Sequence, residues 1–181
     1  SPDSGLSVVP SAGGEPTALT ELAKDNGEVT HRWPQFLPGG DHVLFTVHTS
    51  STGFDSATLE ILDLGTGERR VVHQGGTYGR VVDSGHLVYL NRGTLFAMPF
   101  DLESLQVTGS PAPVVQEVGG SSEGGADYDV SSKGLLAYST SGGSAGAEIQ
   151  AVWVDREGRV EPMIPEKRDF RNPRFSPDGK F

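Results

Sequence analysis

The 181-residue chain has no cysteine, which excludes disulfide frameworks, thiolate metal sites and a cysteine nucleophile, and leaves the redox compartment open. It also lacks any run approaching the roughly 18 apolar residues needed to cross a bilayer. Its polar opening, Ser1-Pro2-Asp3-Ser4, has neither the charged flank nor the apolar stretch of a secretory signal. No membrane span is therefore expected in this chain. Positive charge is scarce, with 14 Lys and Arg against 24 Asp and Glu for a net charge of −10. No basic stripe interleaved with aromatics offsets that balance, so nucleic acid is not an expected partner. Helical periodicity is missing throughout. What the chain does have is 25 glycines and 12 prolines, spread without a dominating low-complexity run, and an apolar share of 35%. That composition predicts a folded core built from many short elements separated by turns.

Self-comparison is the informative step. Phe36–Phe45, Val81–Tyr89, Val130–Tyr138 and Phe175–Phe181 share one pattern, an apolar residue, a polar turn, a glycine and an apolar strand. Their glycines, Gly40, Gly85, Gly134 and Gly179, recur about every 45 residues. A tight turn between two short strands explains the pattern, because glycine supplies positive φ and the flanking residues supply the hairpin arms. Between these turns lie further strand–turn–strand segments: Leu59–Val72, Leu95–Asp101 with Pro113–Val118, Ile149–Val160 and, as a fourth copy, Leu6–Leu22.

Four short strands per period of about 45 residues is the content of a β-propeller blade. The expected class is all-β, with antiparallel four-stranded blades at 29–75, 76–119 and 120–168. Complementary half-blades fall at 5–24 and 170–181. Two closures follow, a four-bladed ring from one chain or a head-to-tail homodimer forming an eight-bladed ring. A third possibility is that the chain is a fragment of a longer propeller whose unpaired strands favour assembly.

At Phe175-Ser-Pro-Asp-Gly-Lys-Phe181 the sequence resembles the TolB-type, WD-repeat-like propeller family, and Trp33–Gly40 is a looser copy of the same signature. Leu6–Thr20 and Arg32–Thr46 also look like the propeller regions that follow bacterial serine/threonine kinase domains. The resemblance implies a bacterial ligand-binding or sensing module, in a periplasmic or extracytoplasmic setting, without kinase chemistry of its own. The chain has no kinase Gly-rich loop with its lysine strand, no His-Arg-Asp loop and no Asp-Phe-Gly.

Aligning the blades on their turn glycines places Trp33, Tyr78, Asp127 and Asn172 at one position, and Gln35, Arg80, Asp129 and Arg174 two residues later. On the first strand of a blade these residues can line a central channel. Arg80 and Arg174 then suit an anion, and Asp127 and Asp129 a divalent cation, with His31 joining from another blade. The bland alternative is that Arg80, Arg174 and Asp129 pair with one another. The other histidines, His42, His48, His73 and His86, have no ligand spacing. Two Gly-x-Ser-x-Gly matches, Gly120–Gly124 and Gly142–Gly146, sit in Gly/Ser-rich loops, not between a parallel strand and a helix as a nucleophile elbow requires. Those loops and the Ser50–Phe54 loop are candidate binding rims. Trp153, Phe36, Phe45, Phe96, Tyr89 and Tyr138 are expected to pack the core.

The sequence thus points to a non-enzymatic propeller that binds a small molecule or a protein. The alternative is a propeller hydrolase acting on an ester or phosphoester through a channel metal or polar channel residues.

Overall fold

A computed structural model describes residues 3–49, 53–140, 152–154, 158–164 and 176. The chain opens with a small antiparallel hairpin, β1 (Ser7–Val8) on β2 (Thr17–Ala18). Three larger antiparallel sheets follow in succession. The first has the order β3 (Glu28–Phe36), β4 (His42–Thr49), β5 (Thr58–Asp63), β6 (Arg69–Gln74). The second runs β7 (Thr77–Val82), β8 (His86–Asn91), β9 (Thr94–Asp101), and its last place is divided between β10 (Gln106–Val107) and β11 (Ala112–Val115). β10 pairs with the end of β9 at Phe100 and Asp101, and β11 with its start at Leu95–Ala97. The third sheet is β12 (Tyr128–Val130), β13 (Leu136–Tyr138), β14 (Val152–Val154), β15 (Val160–Pro162). Among the described residues there is no α-helix, only two single-turn 3₁₀ segments at Lys24–Asn26 and Phe54–Ser56. None of these is long and apolar enough to cross a membrane.

The repeat's turn glycines do what the sequence requires of them. Gly40, Gly85 and Gly134 have φ of 81°, 73° and 81°, each in the turn joining the first two strands of its sheet. Burial then follows strand order. The second strands read as mostly apolar runs, Val43–Val47, broken only by the buried Thr46, and Leu87–Leu90, and are buried along their whole middle. Strands covered on both faces lose the inside–outside alternation of a half-exposed sheet. The fourth strand β6 is largely exposed, and Val71 on it faces solvent.

The chain divides into two compact units, Ser1–Gly79 and Arg80–Phe181, with the division falling inside β7. The first unit has a core of Leu6, Val43, Phe45, Val47 and Leu62, against which Leu19 packs. Leu6 and Leu19 belong to the opening hairpin, so that hairpin shares the core of the β3–β6 sheet. In the second unit the Tyr128 hydroxyl, fully buried, donates to the Val88 carbonyl at 3.2 Å and ties β12 to β8.

The expected aromatic core holds in part. Phe45 and Tyr89 are buried, Trp153, Phe96 and Tyr138 are half-buried, and Phe36 is 60% exposed. Phe36 ends β3 opposite Val43, directly after a β-bulge. The extra residue in that bulge changes which side chains turn inward, so the alternation counted from the sequence fails at Phe36.

Candidate functional site

The positions singled out by the repeat alignment carry a shared backbone feature. The β3–β4 register jumps between Arg32↔Thr46 and Gln35↔Leu44, leaving Trp33 and Pro34 opposite Phe45 alone. Trp33 has φ of 58°, and Tyr78, its equivalent in the next repeat, has φ of 56°. This left-handed conformation costs a bulky residue about 1–2 kcal/mol. The two rings meet at 5.2 Å with a 56° tilt, and the Tyr78 amide donates to Thr46 Oγ1 at 3.1 Å. Next along β7, Gly79 brings the backbone so close to the preceding strands that a Cβ there would lie 2.8 Å from a Leu59 methyl. Gln35 is half-buried opposite Leu44.

In the second unit Arg80 is half-buried on β7. Asp127 sits at a three-way backbone junction. Its amide donates to the Gly119 carbonyl (2.8 Å), its carbonyl accepts from the Ser139 amide (2.9 Å), and the Gly119 amide donates to the Ser139 carbonyl (2.7 Å). A Cβ on Gly119 would lie 2.8 Å from Asp127 Oδ2 and 3.0 Å from Ser139 Oγ, so the glycine leaves room for two side-chain oxygens. Ser139 Oγ is buried and makes no hydrogen bond among the described residues. Asp129 lies in one cross-strand row with Ala137, Trp153 and Glu161, and its Oδ1 accepts from the Val130 amide. On that sheet Leu135, Trp153, Arg159 and Glu161 line an open cavity of about 430 Å³. Asn172 and Arg174 lie outside the described residues.

His31 is placed by a different logic. Its Nδ1 is 2.7 Å from Thr20 Oγ1 and its Nε2 is 2.9 Å from Glu28 Oε2. Glu28 Oε2 also accepts from the Ala23 amide (2.7 Å) and from Arg69 (3.2 Å), while Oε1 accepts from Arg69 at 2.5 Å. Arg69 further donates to Glu60 Oε2 (3.0 Å) and to the Glu21 carbonyl (3.1 Å). Burial pushes the Glu28 carboxyl up, but the hydrogen bonds from Arg69, Ala23 and His31 outweigh it and hold the pKa at about 2. For His31 burial dominates and lowers the pKa, against the raising effect of Glu28. Burial likewise disfavours the charged Arg69, yet its bonds to Glu28 and Glu60 leave its pKa raised.

This network occupies both ring nitrogens of His31. A carboxylate on Nε2 makes that nitrogen the donor, and the Nδ1 lone pair accepts the Thr20 hydroxyl, so no lone pair remains for a metal. Among the described residues no group of three or more His, Asp or Glu is placed to hold a metal ion. Hydroxyl, imidazole and carboxylate in a row resemble a nucleophilic triad, but Thr20 is buried and its oxygen already accepts the Leu6 amide at 2.8 Å.

Sequence reasoning did not find Thr20, Glu28, Glu60 or Arg69. The available signal was Glu60, a carboxylate inside the apolar run Leu59-Glu60-Ile61-Leu62, since a buried charge in a strand needs a partner on its neighbour. The Gly120–Gly124 match is a tight loop in which Ser121 Oγ accepts from the Gly125 amide, and Ser122 is exposed. Gly142–Gly146 lies outside the described residues.

No family model and no curated protein matches the chain. Solved structures are similar in fold. TolB from Acinetobacter baumannii matches with a TM-score of 0.63 at 19% identity, over 91% of this chain and 38% of its own. A calcium-binding protein, regucalcin, from Agrobacterium tumefaciens str. C58 gives 0.59 at 16%, over 87% of this chain and 52% of its own. A luciferin-regenerating enzyme gives 0.57 at 10%, over 83% and 52%. The chain therefore spans between 38% and 52% of the length of these proteins. All of them are β-propellers, and the succession of antiparallel sheets described above gives this chain a TolB-like β-propeller fold.

Proposed function

We propose that the chain is a ligand-binding or protein-interaction propeller module that recognises its partner through the aligned positions of its first strands. The observation that carries this reading is the paired strain at Trp33 and Tyr78. Two bulky aromatics at equivalent repeat positions both hold a left-handed backbone, and a scaffold keeps such strain where a side chain must be aimed; the fully buried Tyr78 backs the half-buried Trp33, which is the one of the two placed to meet a partner. The unsatisfied Ser139 hydroxyl beside the Asp127 carboxylate supports it, since an orphaned buried donor marks a place for a water, an ion or a ligand. The finer reading is the sensor segment of a bacterial kinase, for which the Leu6–Thr20 and Arg32–Thr46 strings speak.

Native mass spectrometry of the purified protein tests the proposal. A retained small-molecule or protein mass that is lost in Trp33→Ala and Arg80→Ala supports it. The same spectrum counts subunits, and an eight-bladed ring made of two copies predicts a dimer. Turnover of p-nitrophenyl acetate or p-nitrophenyl phosphate that disappears with EDTA and with Asp129→Ala would refute the binding reading in favour of a hydrolase.

A further inference from the structure

The Thr20–His31–Glu28 chain joins two parts of the first unit. On one side is the opening hairpin. The Leu6 amide donates to Thr20 Oγ1, and the Leu19 and Thr20 amides both donate to the Leu6 carbonyl. On the other side is β3, whose His31 amide donates to the Ser4 carbonyl at 3.0 Å. The hairpin strands are only two residues long and exposed, and a hairpin that short does not hold itself together in water. Its attachment comes from Leu6 and Leu19 in the core, from the His31 amide–Ser4 carbonyl bond and from the Thr20–His31 bond.

That bond admits one protonation state. Thr20 Oγ1 receives the Leu6 amide, so its own proton goes to His31 Nδ1, and His31 must offer a lone pair there. A proton on Nδ1 would turn the acceptor into a second donor aimed at Thr20. The hydroxyl proton would then have no other acceptor among the described residues, in a site where Thr20 and His31 are both buried. Nε2 offers no relief, because Glu28 fixes it as a donor.

The groups around the imidazole come from every neighbouring element. Glu28 lies on its own strand and the Phe45 ring of β4 is 5.1 Å away. Glu60 of β5 and Arg69 of β6 act on it through their charges. Arg69 already neutralises one of the two carboxylates, so a charged imidazole gains little from the second while losing its bond to Thr20. Burial lowers the His31 pKa in the same sense.

We propose that Thr20, His31 and Glu28 form a proton-operated latch, which fastens the hairpin of residues 4–20 to the β3–β6 sheet while His31 Nδ1 is unprotonated and releases it on acidification. The latch operates whatever the propeller binds, and it makes the first hairpin a pH-dependent element of the surface.

Hydrogen–deuterium exchange tests this, with protection corrected for the intrinsic pH dependence of exchange. The peptide covering residues 4–20 is compared with one covering β4 between pH 7.5 and 5.5. Opening of the hairpin should increase as pH falls below the ordinary histidine value of 6.5, approaching about tenfold at pH 5.5, with β4 unchanged. In His31→Gln the protection of 4–20 should not vary with pH. Loss of protection in β4 in step with the hairpin, an equal pH response in His31→Gln, or no response in the native chain would each overturn the proposal. Should His31→Gln fail to fold, ¹⁵N NMR of the native imidazole decides. The Nε2–H tautomer at pH 7.5, with Leu6 and Leu19 amide shifts that titrate together with the ring, supports the latch, and an Nδ1–H tautomer refutes it.

Discussion

Glu28→Gln isolates the most strongly perturbed carboxylate in the first unit. Its pKa is about 2 in the folded protein against an ordinary 4.5, and each unit is worth about 1.4 kcal/mol. The ionised side chain therefore contributes on the order of 3 kcal/mol at neutral pH. Because the folded value is depressed, that contribution is fully present above pH 4.5, shrinks as pH falls from 4.5 toward 2, and is gone below the folded value. Glutamine keeps the volume and one acceptor but loses the charge, leaving the Arg69 guanidinium with Glu60 and the Glu21 carbonyl. Urea unfolding of both proteins at pH 7, 4.5 and 3 reads the effect, since groups away from Glu28 titrate in both and cancel in the difference, and repeating the pair in a His31→Gln background removes the one coupled histidine. The native chain should be more stable than Glu28→Gln by about 3 kcal/mol at pH 7 and at 4.5, and by only about 1 kcal/mol at pH 3. A gap that does not change with pH would refute the claim that the Glu28 charge, rather than its shape, holds this network.

Gly5→Ala should loosen the opening hairpin, because the new Cβ would lie 2.0 Å from the Thr20 carbonyl oxygen. Limited proteolysis should then cut within residues 4–20 faster than in the native chain. Leu44→Ala, at a fully buried position on β4, should cost about 2–5 kcal/mol in urea unfolding, whereas Phe36→Ser, at a position 60% exposed, should change stability by less than about 0.5 kcal/mol. Trp33→Gly removes the ring contact with Tyr78 but relaxes a left-handed backbone at φ 58°. Its Tm should fall less than that of Trp33→Ala, which loses the same ring and keeps the strain.

The fold was legible because its determinants are local and repeated. A glycine at each turn and an apolar run after it mark a hairpin without reference to anything distant, and Gly40, Gly85 and Gly134 all adopt the positive φ that the pattern demands. The buried network was not legible because its members are joined through space. Arg69 reaches Glu28 across 41 residues and the Glu21 carbonyl across 48. No periodicity links such pairs, and only the anomaly of Glu60 within an apolar strand hints that a cation must sit nearby. His31 was ambiguous for the converse reason. Considered one at a time, a histidine in a strand suits a metal as well as it suits a hydroxyl and a carboxylate, and its partners here are Thr20, just after β2, and Glu28, at the start of its own strand.

The aligned position at Trp33, Tyr78 and Asp127 shows where the repeat ends and individual chemistry begins. Trp33 and Tyr78 share the left-handed backbone and pack on each other, whereas Asp127 is not among the positive-φ residues. Its carboxylate instead fits against Gly119, beside a serine hydroxyl with no partner among the described residues. Core positions such as Val43, Leu44 and Phe45, all fully buried, cannot diverge in this way, since they tolerate only apolar side chains of similar volume. At this first-strand position the packing differs from repeat to repeat: Tyr78 is fully buried, whereas Trp33 and Asp127 are half-buried. One fold therefore holds an indole, a phenol and a carboxylate at equivalent places with its sheets intact.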